Sequence, residues 1–254
     1  MNTQKQITLY LLGALSLASS SLASATGLTI NDPIAITQII NVQAIVVSDD
    51  DGTNTAEFFG NSNQQSIIEG FIDDIWAQAG IDINFLSANA WNDSFTNNGT
   101  TDPRPGSDLG TIVSSGADAG VANVDPNVIN MYFVNVAAGF GLLSEDSAAG
   151  LAFLGGNGIT QYVGSNLLGF TEGQEVIAGV AAHEIGHNLG LGHITENENL
   201  LDSNSPGQRL NATQIQTALD SRFSVDFTPV PVPPALMLFL SGLGFLGFYK
   251  RKRA

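Results

Sequence analysis

Within HEIGHNLGLGH, residues 183–193, three histidines and one glutamate fall at spacings that suit a single metal ion. His183 and His187 are four residues apart, so on a helix their imidazoles stand one turn apart on the same face. Glu184 is turned around such a helix but stays beside the open coordination position, where a carboxylate can take a proton from water. Gly190 follows three residues after His187, where a left-handed residue ends a helix most easily, and the turn there lets His193 swing back. Three neutral imidazoles leave a fourth position for water, the arrangement of a catalytic rather than a structural zinc. The chain has three histidines in all, and every one lies in this stretch.

The pattern resembles the metzincin clan of zinc endopeptidases, HExxHxxGxxH, matched at His183, Glu184, His187, Gly190 and His193. The resemblance implies zinc ligands at the three histidines and a general base and acid at Glu184. It also implies a substrate bound as an added antiparallel strand at a sheet edge, for which Leu151 to Leu154 is the candidate. Metzincins carry a methionine in a tight turn beneath the zinc. At the matrixin-like spacing, eight residues after His193, this chain has Leu201, close to methionine in volume and apolarity. No tyrosine follows Leu201 at short range, and Ile194 after the last histidine does not settle a subfamily.

The elements that must position these groups alternate in type. Ile39 to Ser48 reads as a strand, Gln64 to Ala79 as an amphipathic helix stopped by Gly80, and Ile81 to Leu86 as a short strand. Val128 to Ala137 is a strong, buried strand, and Leu151 to Leu154 and Ile159 to Val163 are shorter strand candidates. Thr171, with Gln174 three residues on, has a capping-box pattern and opens a helix to about Leu189. A last amphipathic helix runs from Asn211 or Thr213 to Phe223. Asn92 to Ser107 is the one stretch simple enough in composition to be disordered. Trp76 reads as core, and Trp91 as either a cleft residue or a loop anchor. The order implies an α/β (α+β) fold with a mixed sheet, and the resemblance implies a metzincin-like zincin fold with an active-site helix and a small C-terminal subdomain.

The two ends read as addresses. Lys5, an apolar run from Ile7 to Ala18 and Ala23-Ser24-Ala25 have the form of a signal peptide over residues 1–25, too short in its apolar run to span a bilayer comfortably. Residues 229–254 hold a proline motif, an apolar segment long enough to reach across a bilayer with the prolines included, and KRKR at 250–253. This tail, with the signature Val230-Pro231-Val232-Pro233-Pro234-Ala235, resembles the PEP-CTERM sorting signal of Gram-negative bacteria, with valine between the prolines where the glutamate often stands. The resemblance implies an exosortase as partner and a final place at the cell surface, the outer envelope or the extracellular matrix; a plain single-pass anchor is the alternative. The middle, residues 26–228, keeps three arginines against 24 acidic residues, a formal charge of −21. Such a field repels nucleic acid and anionic lipid and favours cationic partners and divalent ions. The chain has no cysteine, so an exported protein manages without disulfides, and zinc is left to histidine and carboxylate.

Asp49, Asp51 and Asn54, in DDDGTN, have the close oxygen ligands and glycine turn of a calcium loop but lack the glutamate that completes an EF-hand. An acidic turn after a strand is the plainer alternative. For the chain as a whole the leading expectation is an exported zinc endopeptidase acting on protein or peptide. The alternatives are a zinc-binding surface or biofilm-matrix protein without proteolytic activity, and a small-molecule metallohydrolase. Glu184 favours the enzyme, since a purely structural zinc has no use for a base.

Overall fold

The structure is a computed structural model that describes residues 27–98, 107–135, 149–202 and 207–227. The signal-peptide and tail segments lie outside the described residues; among the described residues no helix is long and apolar enough to cross a membrane.

Three parallel strands begin a mixed sheet: β1 (Gln38–Ser48), β2 (Ile81–Asn92) at one edge, and β3 (Val128–Val134). Then come β4 (Gly150–Ala152) and β5 (Ile159–Tyr162), giving the order β2-β1-β3-β5-β4. β5 runs parallel to β3, whereas β4 pairs antiparallel to β5 and ends the sheet. A short β6 (Ser224–Asp226) pairs antiparallel with β1 at Gln38–Ile40, just before β3 takes that side from Asn41. Every residue of β3 is buried, as expected of a parallel strand covered on both faces.

On one face lie helices α1 (Ser62–Trp76) and α4 (Thr171–Asn188). Ile68, Ile72, Ile75 and Trp76 of α1 share a core with Ile40, Val42 and Ala44 of β1, Met131 and Phe133 of β3, and Ala178, Ala181 and Ile185 of α4. The opposite face carries a smaller core of Ile45, Val47, Tyr132, Val134 and Trp91, closed by Ile112 of α3 (Ser107–Asp118). Trp91 is therefore a core anchor and not a cleft residue. α5 (Ala212–Leu219) follows the site region and starts at Asn211, whose side chain and that of Gln214 cap each other's backbone.

Three expectations are corrected. Residue 170, not Thr171, is the N-cap of α4, and no side chain caps it. Gln174 instead donates to the carbonyl of Leu168, where Gln64 also donates, so the amide that would close a capping box ties the helix to the preceding turn. Within the Asn-rich stretch, Ser94–Asn98 is a helix, α2, with Thr96 and Asn97 buried. β2 runs on to Asn92, because its pairing with β1 continues past a bulge between Gln43 and Ile45.

α1 also half-buries a carboxyl. Asp73 accepts the Ile83 amide at 3.0 Å, and burial, reinforced by Asp82, Glu69 and Asp74, pushes its pKa from 3.8 up to about 7. The folded protein thus holds a proton here between about pH 4 and 7 that the unfolded chain has lost, so stability falls as pH rises through that window. Asp73→Asn keeps the acceptor and removes the ionisation. Its Tm is expected to match wild type near pH 4 and to exceed it at pH 8 by about 2–4 °C, the shift for roughly 1 kcal/mol in a domain this size.

Candidate metal centre

α4 supplies two of the three histidines because its 3.6-residue repeat sets His183 and His187 side by side. Their rings stand 4.7 Å apart, centroid to centroid, and nearly perpendicular. The helix stops at Asn188, and Gly190 takes φ +96°, a conformation a side chain would resist. The Gly190 amide donates to the His187 carbonyl and the Leu191 amide to Gly186, which closes the turn. The chain then doubles back and places His193 against the other two.

Hydrogen bonds fix the tautomers. His183 Nδ1 donates to the Leu200 carbonyl at 2.6 Å, and His187 Nδ1 donates to the Leu191 carbonyl at 2.7 Å. Both Nε2 atoms therefore present lone pairs, and they face His193 Nε2 at 3.1 and 3.2 Å. With both Nδ1 atoms committed as donors, these two lone pairs are free to bind a cation together with His193. The spacing suits the ligand edges of a tetrahedral ion with bonds of about 2.0–2.1 Å to imidazole. Burial lowers the pKa of His183 to about 4 and that of His187 in the same direction, which keeps both neutral as ligands must be. Among the described residues this is the one group of three or more His, Asp or Glu side chains whose ligand atoms gather within 4.8 Å.

Glu184 is buried beside the triad, and burial raises its carboxyl to about 8. It is packed by the first residue of the edge strand: a Cβ on Gly150 would stand 2.6 Å from Glu184 Cγ and 2.9 Å from Oε1. Sequence reasoning passed over Gly150, and the available signal was a glycine at the mouth of a strand, a position that admits close approach of another group. Asn188 was missed as well. Its amide donates to the carbonyls of Phe153 and Gly158 and accepts the Gly158 amide, so the end of α4 is bound to the β4–β5 hairpin.

Leu201 is fully buried under the site, with Cδ2 3.3 Å from where a Gly186 Cβ would stand. Its amide is held by Asn199 Oδ1 and its carbonyl accepts the Ile194 amide, while the neighbouring Leu200 carbonyl orients His183. The turn that forms the floor also sets a ring of the triad.

The calcium expectation has no such support. Asp49 Oδ1 accepts the side-chain amides of Asn97 and Asn98, Asp51 Oδ1 accepts the Thr53 amide and hydroxyl, and Asn54 lends its carbonyl to Asn97 and Asn135. These bonds hold both carboxyls below the usual range and build a polar turn between β1 and its neighbours.

Over the triad lies a cleft of about 620 Å³. One wall is β4, the second is the stretch of α4 from Glu175 to His187, and the third is Asp202, Gly207 and Gln208. A buried carboxylate next to three convergent imidazoles, under a strand edge, is the equipment of a metal-dependent peptidase.

Comparison with known proteins agrees. The model for metallo-peptidase family M12B, reprolysin-like, matches residues 62–194, and the chain belongs to that family. No curated protein matches. Solved structures similar to it include an archaemetzincin from Methanopyrus kandleri, at 14% identity and TM-score 0.44, with 71% of this chain and 95% of that one covered. Metalloproteinase-II from Bacteroides fragilis aligns at 14% identity and TM-score 0.47, covering 77% of this chain and 57% of its own. The archaemetzincin from Archaeoglobus fulgidus aligns at 15% and 0.38, over 70% and 99%.

Proposed function

We propose that this metallopeptidase is an exported endopeptidase that uses His183, His187 and His193 as zinc ligands and Glu184 as its general base and acid. The observation that carries the reading is the convergence of three Nε2 atoms, with that of His193 3.1 and 3.2 Å from those of His183 and His187, beside a buried glutamate. Zinc held there supplies Lewis-acid polarisation of a carbonyl and a water of lowered pKa.

The chain's own groups supply the rest. Glu184, as a carboxylate, receives the proton of the attacking water and delivers it to the departing amine. β4 pairs only with β5 among the described strands, so its outer edge can accept a substrate backbone as a further strand, alongside the cleft. An extended chain laid there runs past the site in both directions, which supports internal cleavage. The signal-peptide form of residues 1–25 and the sorting-signal form of residues 229–254 support export and anchoring at the envelope. Mass-spectrometric mapping of casein fragments made by the zinc-loaded protein tests this: internal cuts are expected. Trimming from either terminus, or intact casein at full zinc occupancy, would overturn the endopeptidase reading.

Gly150 gives a prediction of its own. A methyl group there meets Glu184 within contact distance and displaces the carboxyl. Gly150→Ala is expected to keep its zinc and lose about 10²-fold in kcat, the scale of an ångström-sized misplacement of a reacting group; zinc analysis and a peptide assay on the same sample check it.

A further inference from the structure

The wall of the cleft upstream of the histidines is built for a particular side chain. We propose that it is a specificity subsite for a long cationic side chain, Lys or Arg, next to the scissile bond, with Glu175 as the residue that selects it. The inference rests on the peptidase reading above and adds the class of substrate.

Its construction can be followed along α4. Gly179 lines the cleft, and a Cβ there would meet nothing within 4 Å, so the missing side chain leaves a slot open on that helix face. Val176 and Val180, four apart, flank the slot with aliphatic surface, and Val176 is 55% exposed despite being apolar. Glu175 closes the far end. It lies eight residues before His183, about 12 Å along the helix axis, too far for a short side chain anchored at the metal site.

Glu175 is also held in place. Its Oε1 accepts the Gly27 amide at 2.9 Å, and Gln208 on the facing wall accepts the Thr29 amide at 2.8 Å, so the segment entering from the N-terminus braces both polar walls. One amide does not satisfy a carboxylate, which has about four acceptor sites. Asp202, whose Oδ2 accepts the Glu196 amide, adds a second negative charge to the lining. Among the described residues that line the cleft there is no Lys or Arg. Arg209 is paired with Glu198 at 2.6 Å, and Arg222 lies over the Phe223 ring. An apolar sleeve ending in carboxylate is the complement of a Lys or Arg stem with its charged head.

The test uses the full-length zinc-loaded protein and peptides of one sequence in which the residues flanking the cleaved bond are Arg, norleucine, Glu or 2,4-diaminobutyrate. Arg is expected to exceed norleucine by about tenfold in kcat/KM, the scale of a charge-assisted hydrogen bond. Diaminobutyrate, with the same charge on a short stem, is expected to gain little. Glu175→Gln keeps an acceptor for Gly27 and is expected to bring the Arg-to-norleucine ratio close to one, and Glu175→Lys to turn the preference toward Glu. A wild-type ratio near one, or a ratio that Glu175→Gln leaves intact, overturns the proposal while the peptidase reading stands. Binding of the same peptides to zinc-loaded Glu184→Gln, followed by fluorescence anisotropy, separates the two claims. If wild type cuts nothing but this protein binds the Arg peptide more tightly, and loses that with Glu175→Gln, the subsite holds and the peptidase reading fails. If neither cutting nor binding favours Arg, both fail.

Discussion

Glu184→Gln is expected to lower kcat by about 10²–10⁴-fold, the usual contribution of a positioned general base, with zinc content unchanged. The side chain is 7% exposed and lies against Gly150, so glutamine fills the same space without a change in packing. It differs from glutamate in being unable to carry the proton between water and leaving group. Parallel metal analysis makes the result specific: loss of zinc together with activity would show that position 184 helps to hold the ion, against the role assigned here.

His193→Ala is expected to remove activity entirely and most of the zinc affinity. The two helical histidines are preset by α4 and anchored through Nδ1 to carbonyls, whereas His193 is exposed and arrives from the loop after Gly190. The variant therefore keeps its fold and loses the third ligand. A thermal readout follows from linkage, since a ligand at a hundredfold excess over its Kd stabilises by about 2.7 kcal/mol. Wild type is expected to gain several degrees in Tm on zinc addition, and His193→Ala to melt with or without zinc where chelated wild type melts. An equal gain in the variant would place the bound zinc elsewhere.

The site was more legible in the sequence than the structure around it. Helical spacing alone put His183 and His187 on one face, and a glycine three residues on was enough to foresee the turn to His193. β1, α1 and β3 were equally plain, because their apolar periods are regular and burial follows them. α3 was not foreseen: SDLGTIVSSGAD is rich in poor helix formers, and its helix is held by Ile112, which is buried against the second face of the sheet. Gly150 and Asn188 act across long sequence separations, and nothing local marks a glycine that makes room for a carboxyl 34 residues away. The capping pattern at Thr171 misled because Gln174 had a nearer acceptor in Leu168. The acidic turn at Asp49 likewise has ligand-like residues whose oxygens are spent on neighbouring amides.

The most direct test of the account is a zinc titration of the metal-free protein with casein cleavage followed at each point. Activity is expected to rise in proportion to zinc and to level off at one ion per chain, as three histidines on one site require. Full occupancy at one zinc without cleavage, or cleavage that does not depend on zinc, would contradict it.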